Sequence, residues 1–145
     1  MLIKSEHIQN NLTKIVGRQL THLNEVQRLV KGDTVRVGEV NGAIGTGTII
    51  SIDKQTAMIE VNLTLRPPAP LPITVILALP RPKMLRRILQ TIAAMGVKNV
   101  YLVNASRVEK SFWQSPLLAP ESIEEQLILG LEQSRDTLLP AVHLR

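Results

Sequence analysis

Polar and apolar positions along this chain follow two rhythms. Through residue 63 the apolar residues come in short alternating runs, and from residue 73 they come in solid blocks separated by a helical stripe. The clearest stretch is residues 72 to 106, PITVILALPRPKMLRRILQTIAAMGVKNVYLVNAS. Ile73 to Leu79 is an unbroken apolar run rich in β-branched residues, the pattern of a strand buried on both faces of a parallel sheet. Pro80 and Pro82 end it, and a helix is predicted from about Lys83. Leu85, Ile88, Leu89 and Ile92 recur at i, i+3, i+4 and i+7, forming one apolar stripe. Gly96 falls just past the helix end, where a left-handed backbone favours glycine. Val97 to Val103 is a second apolar strand, so the stretch predicts a βαβ unit with a right-handed crossover.

The first 66 residues predict a small β-barrel. Leu2 and Ile3 make a short strand, and Leu12 to Val16 a second. Thr21 is the expected N-cap of a short helix, HLNEVQRLV, with Leu23, Val26 and Val30 turned inward. Thr34 to Val40, Thr48 to Ile52 and Ala57 to Leu63 are further strands, with a type I′ turn expected at Asn41-Gly42. Gly42, Gly45 and Gly47 are followed by a strand rather than a helix, so they read as hairpin and bulge glycines, not a phosphate loop. Pro67, Pro68, Pro70 and Pro72 make residues 67–72 a stiff extended linker between the barrel and residues 73–145. In the second domain, ESIEEQLILGLEQS is a helix, with Ser122 and Glu125 at capping-box spacing and Ile123, Leu127 and Leu131 facing inward. The run Leu138, Leu139, Ala141, Val142 begins a third strand. Two or three parallel strands with two helices leave open apolar edges. The expectation is that a second copy covers them, or that the chain is part of something longer.

Composition narrows the chemistry. The 145 residues contain no cysteine, which excludes disulfides, thiolate metal sites and cysteine nucleophiles. His7, His22 and His143 are too scattered to share a metal. No apolar run reaches membrane-spanning length and the N-terminus has no signal-peptide core, so a soluble, cytoplasmic protein is expected. Aromatics are only 2%, which argues against reading single-stranded RNA mainly by base stacking. The formal charge of +5 favours an acidic partner such as nucleic acid.

Two groups of cations carry that reading. Arg81, Lys83, Arg86 and Arg87 gather where the predicted helix follows a strand end, the place where ligands collect in open α/β sheets. Cations there oppose the helix dipole, which itself favours anions, so the cluster suits phosphate. Arg18, His22, Arg28, Lys31 and Arg36 lie on or beside the short helix of the barrel, and suit an RNA backbone. Either group also reads as an ordinary solvated face. Phe112 and Trp113 are expected to anchor the loop that carries Arg107 and Lys110, or an interface.

Three segments in series resemble a known family. HLNEVQRLVKGD resembles the pattern His-x-x-x-Val-Leu-Arg-Leu-x-x-Gly-Asp, with Gln27 where leucine is usual. LALPRPKMLRRILQTIAAMGV and LGLEQSRDTLLPAV resemble the segments that open the family's second domain and its Glu-Gln-Ser-Gly-Arg-x-x-x-Pro motif. The family is the RsmE-type small-subunit ribosomal RNA uridine-N3 methyltransferases, of the trefoil-knotted SPOUT class. The resemblance implies a PUA-like RNA-binding barrel, an α/β methyltransferase domain that dimerises, S-adenosylmethionine as donor and ribosomal RNA as substrate. It carries His22, Arg28, Gly32 and Asp33 onto the barrel motif, and Glu132, Gln133 and Arg135 onto the motif near the substrate.

The chain departs from the family in several places. Gln90 to Gly96 lacks the usual lysine and glutamate, Gln133-Ser134-Arg135 is one glycine short, and Arg107 to Ser111 only loosely follows Glu-Arg-Ser. These departures suggest a divergent branch. The family's glycine-rich donor loops, Gly-Pro-Glu-Gly-Gly and Leu-Gly-x-Arg-Ile-Leu-Arg, do not occur here. The chain therefore reads as the front part of such an enzyme, lacking the knot and the donor site and inactive by itself. Uridine N3 must lose its proton before it attacks a methyl group, and an arginine beside the uracil carbonyls stabilises the resulting charge. Arg107 and Arg135 are the candidates, and no metal is needed. The alternative is a non-catalytic RNA-binding protein that keeps barrel and platform.

Overall fold

A computed structural model describes all of residues 1–145, which divide into two compact units, Met1–Pro67 and Pro68–Arg145. The first is a six-stranded curled sheet whose elements run β1 (Leu2–Ile3), β2 (Ile8–Gln9), β3 (Leu12–Ile15), α1 (Gly17–Thr21), β4 (Thr34–Glu39), β5 (Ile44–Ile52) and β6 (Ala57–Leu65). Its strand order is β1-β4-β5-β6-β3-β2, which leaves β1 and β2 as free edges. The expected barrel is thus a half-barrel. Two register shifts between β5 and β6, at Ile44/Gly45 and Ile49/Ser51, mark the irregularities that increase twist and bend a long hairpin.

Ile15, Val37, Ile49, Ile59 and Val61 fill the concave face, and Leu20 of α1 and Leu23 just after it close it. Here the helix differs from expectation. It starts at Gly17 rather than after Thr21, and a wider turn, His22–Val26, follows it. Thr21 caps nothing; its hydroxyl donates to the Gly17 carbonyl at 3.2 Å. Because the helix ends early, Leu20 and Leu23 are buried in the core and Leu29 packs against it, whereas Val26 and Val30 are 68% and 61% exposed.

The type I′ geometry also sits elsewhere. Asn10 and Asn11, at φ 51° and 62°, form the two-residue connection between Gln9 and Leu12, which pair across β2 and β3. At the expected site only Asn41 has positive φ, and the Gly42 N–H donates to the Glu39 carbonyl. Gly45 and Gly47 lie inside β5 rather than before it. A Cβ on Gly45 would stand 1.8 Å from the Asn62 carbonyl oxygen, and one on Gly47 2.5 Å from Ile59. Asp53 closes the β5–β6 turn by accepting from Gln55 N and Thr56 N, and those N–H groups hold its carboxyl below the usual range.

The second unit is β7 (Leu71–Ala78), α2 (Pro82–Ala94), β8 (Val97–Val103), α3 (Pro120–Ser134) and β9 (Ala141–Leu144). All three strands are parallel, in the order β7-β8-β9. The linker is shorter than expected, since Leu71 and Pro72 already belong to β7. An edge strand tolerates a proline that a central strand would not. Edge position also overturns the expectation that residues 73–79 are buried on both faces: Ile73 is exposed and Ile76 is 72% exposed. The central strand is β8, with Val100 and Leu102 fully buried on the face that the helices cover.

Leu85, Leu89, Ile92 and Ala93 form the buried side of α2, and Gly96 takes φ +85° after it. α3 begins at Pro120, two residues before the expected cap, with proline at its first position and no side-chain cap. Ser122 is therefore inside the helix. β9 starts only at Ala141, after Pro140, which has no N–H to give a ladder; the Leu138 carbonyl accepts from Lys98 instead.

Candidate nucleic-acid interface

The parallel sheet fixes where its loops emerge. Strands β7 and β8 both deliver their chains to the carboxyl edge, and α2 and α3 carry them back to the amino edge. Arg81 and Lys83 stand at the carboxyl edge, on the N-cap and first turn of α2. Arg86 and Arg87 follow on its exposed side, away from Leu85 and Leu89. None of the four side chains is in an ion pair, and the first turn of α2 contains no acid. Arg107 belongs to the same edge, in the loop after Val103. That loop is pinned by the Trp113 indole, whose Nε1 donates to Asn104 Oδ1 at 3.1 Å, and by buried Leu117 and Leu118.

Glu132, Gln133 and Arg135 are at the other edge. α3 runs back along the sheet, and the residue after Arg135 bonds to Lys98, the second residue of β8. The five steps from Lys98 to Val103 span about 17 Å at strand rise. One copy of the chain therefore does not bring Arg107 and Arg135 onto one uracil ring.

Arg135 ends α3 in a backbone conformation that glycine adopts more readily. Arg135 has φ 59°, the left-handed position that ends a helix, and its N–H donates to the Leu131 carbonyl. Arginine thus occupies a conformation suited to glycine. Arg135→Gly is expected to raise stability by about 0.5–1 kcal/mol, read from the urea midpoint. A lower midpoint would mean that the side chain holds something the backbone does not.

In the first unit the cations separate. Arg18 and His22 ride on α1 and the turn after it, which close the concave face. Arg28, at φ 51°, and Lys31 lie in the exposed connection to β4. Arg36 alternates with buried Val37 and so projects from the opposite, outer face of the sheet, paired across to Thr46. Gly32 and Asp33 serve the connection itself: Gly32 has φ 91°, and the Asp33 carboxylate accepts from Val30 N at 2.9 Å.

Sequence reasoning missed two groups. Lys98 Nζ reaches Asp136 Oδ2 at 2.6 Å and the Leu138 carbonyl at 2.6 Å, tying the chain after α3 to β8. On the sheet face away from the helices, Thr74, Asn99 and His143 form a hydrogen-bonded row beside Tyr101. Neither was findable without strand register, since each joins residues about 25 to 44 positions apart. No three His, Asp or Glu residues gather to hold a metal, and no helix is long and apolar enough to cross a membrane.

Comparison with known proteins places these features. The family description "RNA methyltransferase domain" matches residues 67–145. The chain is 31% identical over 122 residues to ribosomal RNA small subunit methyltransferase E of Treponema pallidum (strain Nichols). That match covers 83% of this chain and 46% of the relative, so the chain spans about half the relative's length. The fold is that of a probable rRNA-methyltransferase from Porphyromonas gingivalis, at TM-score 0.76 and 18% identity over 99% of this chain and 59% of that one. It is also that of a ribosomal RNA small subunit methyltransferase E from Neisseria gonorrhoeae bound to S-adenosyl methionine, at TM-score 0.73 and 19% identity over 99% and 61%. A half-barrel joined to a parallel α/β unit, with the family match falling on the second unit, identifies the chain as a member of the RNA methyltransferase domain family, of RsmE type.

Proposed function

We propose that this chain is the RNA-gripping front part of an S-adenosylmethionine-dependent methyltransferase that modifies uridine N3 in small-subunit ribosomal RNA. The observation that carries the reading is the unpaired cluster Arg81, Lys83, Arg86 and Arg87, at the ligand-collecting edge of a sheet in this family. The half-barrel takes the PUA-like role, with Arg18, His22, Arg28 and Lys31 meeting phosphate. Arg36, on the outer face, meets a different part of the RNA or none.

The donor does not fit the loops present. Those after β7 and β8, residues 79–81 and 104–109, contain no glycine to let backbone close on a nucleoside. We therefore assign donor binding, and the knot, to segments that these 145 residues do not match, and expect no methyl transfer from this chain alone. Within it, Arg107 is the residue suited to polarise a uracil carbonyl as N3 loses its proton. Arg135, with Glu132 and Gln133 beside it, serves such a site only across a dimer. Homodimerisation, with the exposed β7 face wanting cover, and a cytoplasmic setting both suit a ribosomal substrate.

Salt dependence tests the reading. RNA affinity is expected to fall steeply with salt and to vary little with sequence. The double variant Arg86→Ala/Arg87→Ala is expected to bind structured RNA about tenfold more weakly and to flatten the salt slope by roughly one to two units. Its fold should be intact because neither residue is on the buried stripe. Lys54→Ala, in the exposed β5–β6 turn, should change little. An unchanged slope in the double variant would reduce the cluster to a solvated helix face and leave the RNA reading to the half-barrel, or to a non-catalytic RNA-binding protein.

A further inference from the structure

The hairpin between β4 and β5 turns on an asparagine whose side chain is able to react with the backbone beside it. Asn41 is exposed, and Gly42 follows it. Asn41 has φ 61°, and the Gly42 N–H donates to the Glu39 carbonyl at 2.8 Å. Positive φ at the third residue, with that bond, is the geometry of a type II turn. The Glu39 N–H donates to the Ala43 carbonyl at 3.0 Å and closes the hairpin. The Glu39 side chain folds over the turn, since a Cβ on Gly42 would stand 2.9 Å from Glu39 Oε2. The same corner holds the edge strand β1: Ile3 pairs with Glu39, and the Ile3 carbonyl accepts from Val40 N at 2.9 Å.

We propose that Asn41 is a site of spontaneous deamidation, guarded by this turn and released when the turn opens. Asparagine is thermolabile by this route. The Gly42 main-chain nitrogen, once it has lost its proton, attacks Asn41 Cγ. A C–N bond forms, the Cγ–Nδ2 bond breaks, and ammonia leaves with a proton taken from water. The product is a five-membered succinimide. Water then opens the ring at either carbonyl, leaving aspartate or isoaspartate at position 41, and nothing is oxidised or reduced. Glycine favours the attack because no Cβ crowds its nitrogen. The turn opposes it, because that N–H is committed to the Glu39 carbonyl and the backbone is held in one conformation. Reaction therefore waits on local opening, which a hairpin tip at a sheet edge undergoes more readily than the core.

The other asparagines in turns and loops lack the glycine. Asn10 and Asn11 share the positive φ, but the residues after them are Asn11 and Leu12, and Asn104 precedes Ala105. Of the two products, isoaspartate does more damage. It routes the main chain through the side-chain carbon and so lengthens a turn closed by the Gly42 and Glu39 hydrogen bonds, loosening β1 from β4. Aspartate keeps the backbone and tolerates positive φ, but sets a carboxylate beside that of Glu39.

The test keeps the 145-residue chain at mildly alkaline pH in water enriched in heavy oxygen, then maps the label by proteolysis and mass spectrometry. Label is expected at position 41 ahead of every other asparagine. Its rate should be at least about tenfold slower in native buffer than in denaturing guanidinium chloride, the protection a closed turn confers. Between those conditions the rate should rise in step with hydrogen exchange of the Gly42 amide. Gly42→Ala should slow labelling in denaturant, where no fold is at stake. In the aged native chain, the isoaspartate form should exchange the Gly38 and Val40 amides faster than the Asn41→Asp variant does, because both amides donate to the segment carrying β1. Equal rates in native buffer and denaturant overturn the proposal, as does label that reaches Asn10, Asn11 or Asn104 first. Absence of label at position 41 in denaturant overturns it outright.

Discussion

Lys98→Met is expected to lower the stability of the second unit by about 3 kcal/mol, near the lower end of the cost of breaking a buried ion pair. Asp136 is only 5% exposed and Lys98 14%. Without the ammonium, the carboxylate keeps two N–H donors, from Thr137 at 2.7 Å and Leu138 at 3.1 Å, but loses its counter-charge. The Leu138 carbonyl loses its partner at the same time. Remaining hydrogen bonds place the cost below the maximum for an orphaned charge. Lys98→Met/Asp136→Asn should recover part of the loss, because no buried charge then remains. Denaturant midpoints measure both variants. A loss under about 1 kcal/mol for Lys98→Met would show the pair behaving as an exposed one. The loss should be felt beyond the pair, since this contact holds the chain that leads into β9, and β9 places His143 on Tyr101.

Gly130→Ala is expected to destabilise by about 2–3 kcal/mol, although the same change in an exposed helix stabilises by about 0.5–1 kcal/mol. The reason is the crossing of α3 over α2. A Cβ on Gly130 would stand 2.2 Å from the Gln90 carbonyl oxygen and 2.9 Å from the Ala93 Cβ. The first of these is backbone and has no rotamer to change. One helical turn earlier, Gln126 accepts from Gln90 Nε2 at 2.7 Å, so forcing the helices apart also strains a half-buried hydrogen bond. Because α2 carries Arg86 and Arg87, RNA affinity should fall with stability in this variant. A midpoint equal to or above the parent's would mean that the two helices slide apart at little cost.

Much of the fold was legible because local rules and tertiary packing agree. The apolar stripe Leu85, Leu89 and Ile92 is the buried side of α2, and the block Val97 to Val103 is a strand buried at its centre. Where they disagree, the reason is specific. Ile73 to Leu79 has the composition of a central strand, but composition does not say which strand ends a sheet, and β7 does. Val26 and Val30 keep helical spacing with Leu23, yet the helix has ended before they can share its face. Ser122 has the spacing of a cap, but the proline at 120 starts the helix sooner.

By itself the sequence determined the strand–helix–strand core, the proline-marked break between two rhythms and the placement of four cations at the start of one helix. Those follow from periodicity and from residues with few backbone choices, which act over a turn or two of chain. Only the tertiary structure decided that Arg107 and Arg135 lie at opposite edges, because that depends on the direction in which α3 returns. It alone decided that Arg36 faces away from Arg18 and His22, since a curled sheet sends alternate residues to opposite sides. It also joined Lys98 to Asp136 and Tyr101 to His143. Such pairs are set by register between strands far apart in the chain, and no local pattern encodes that register.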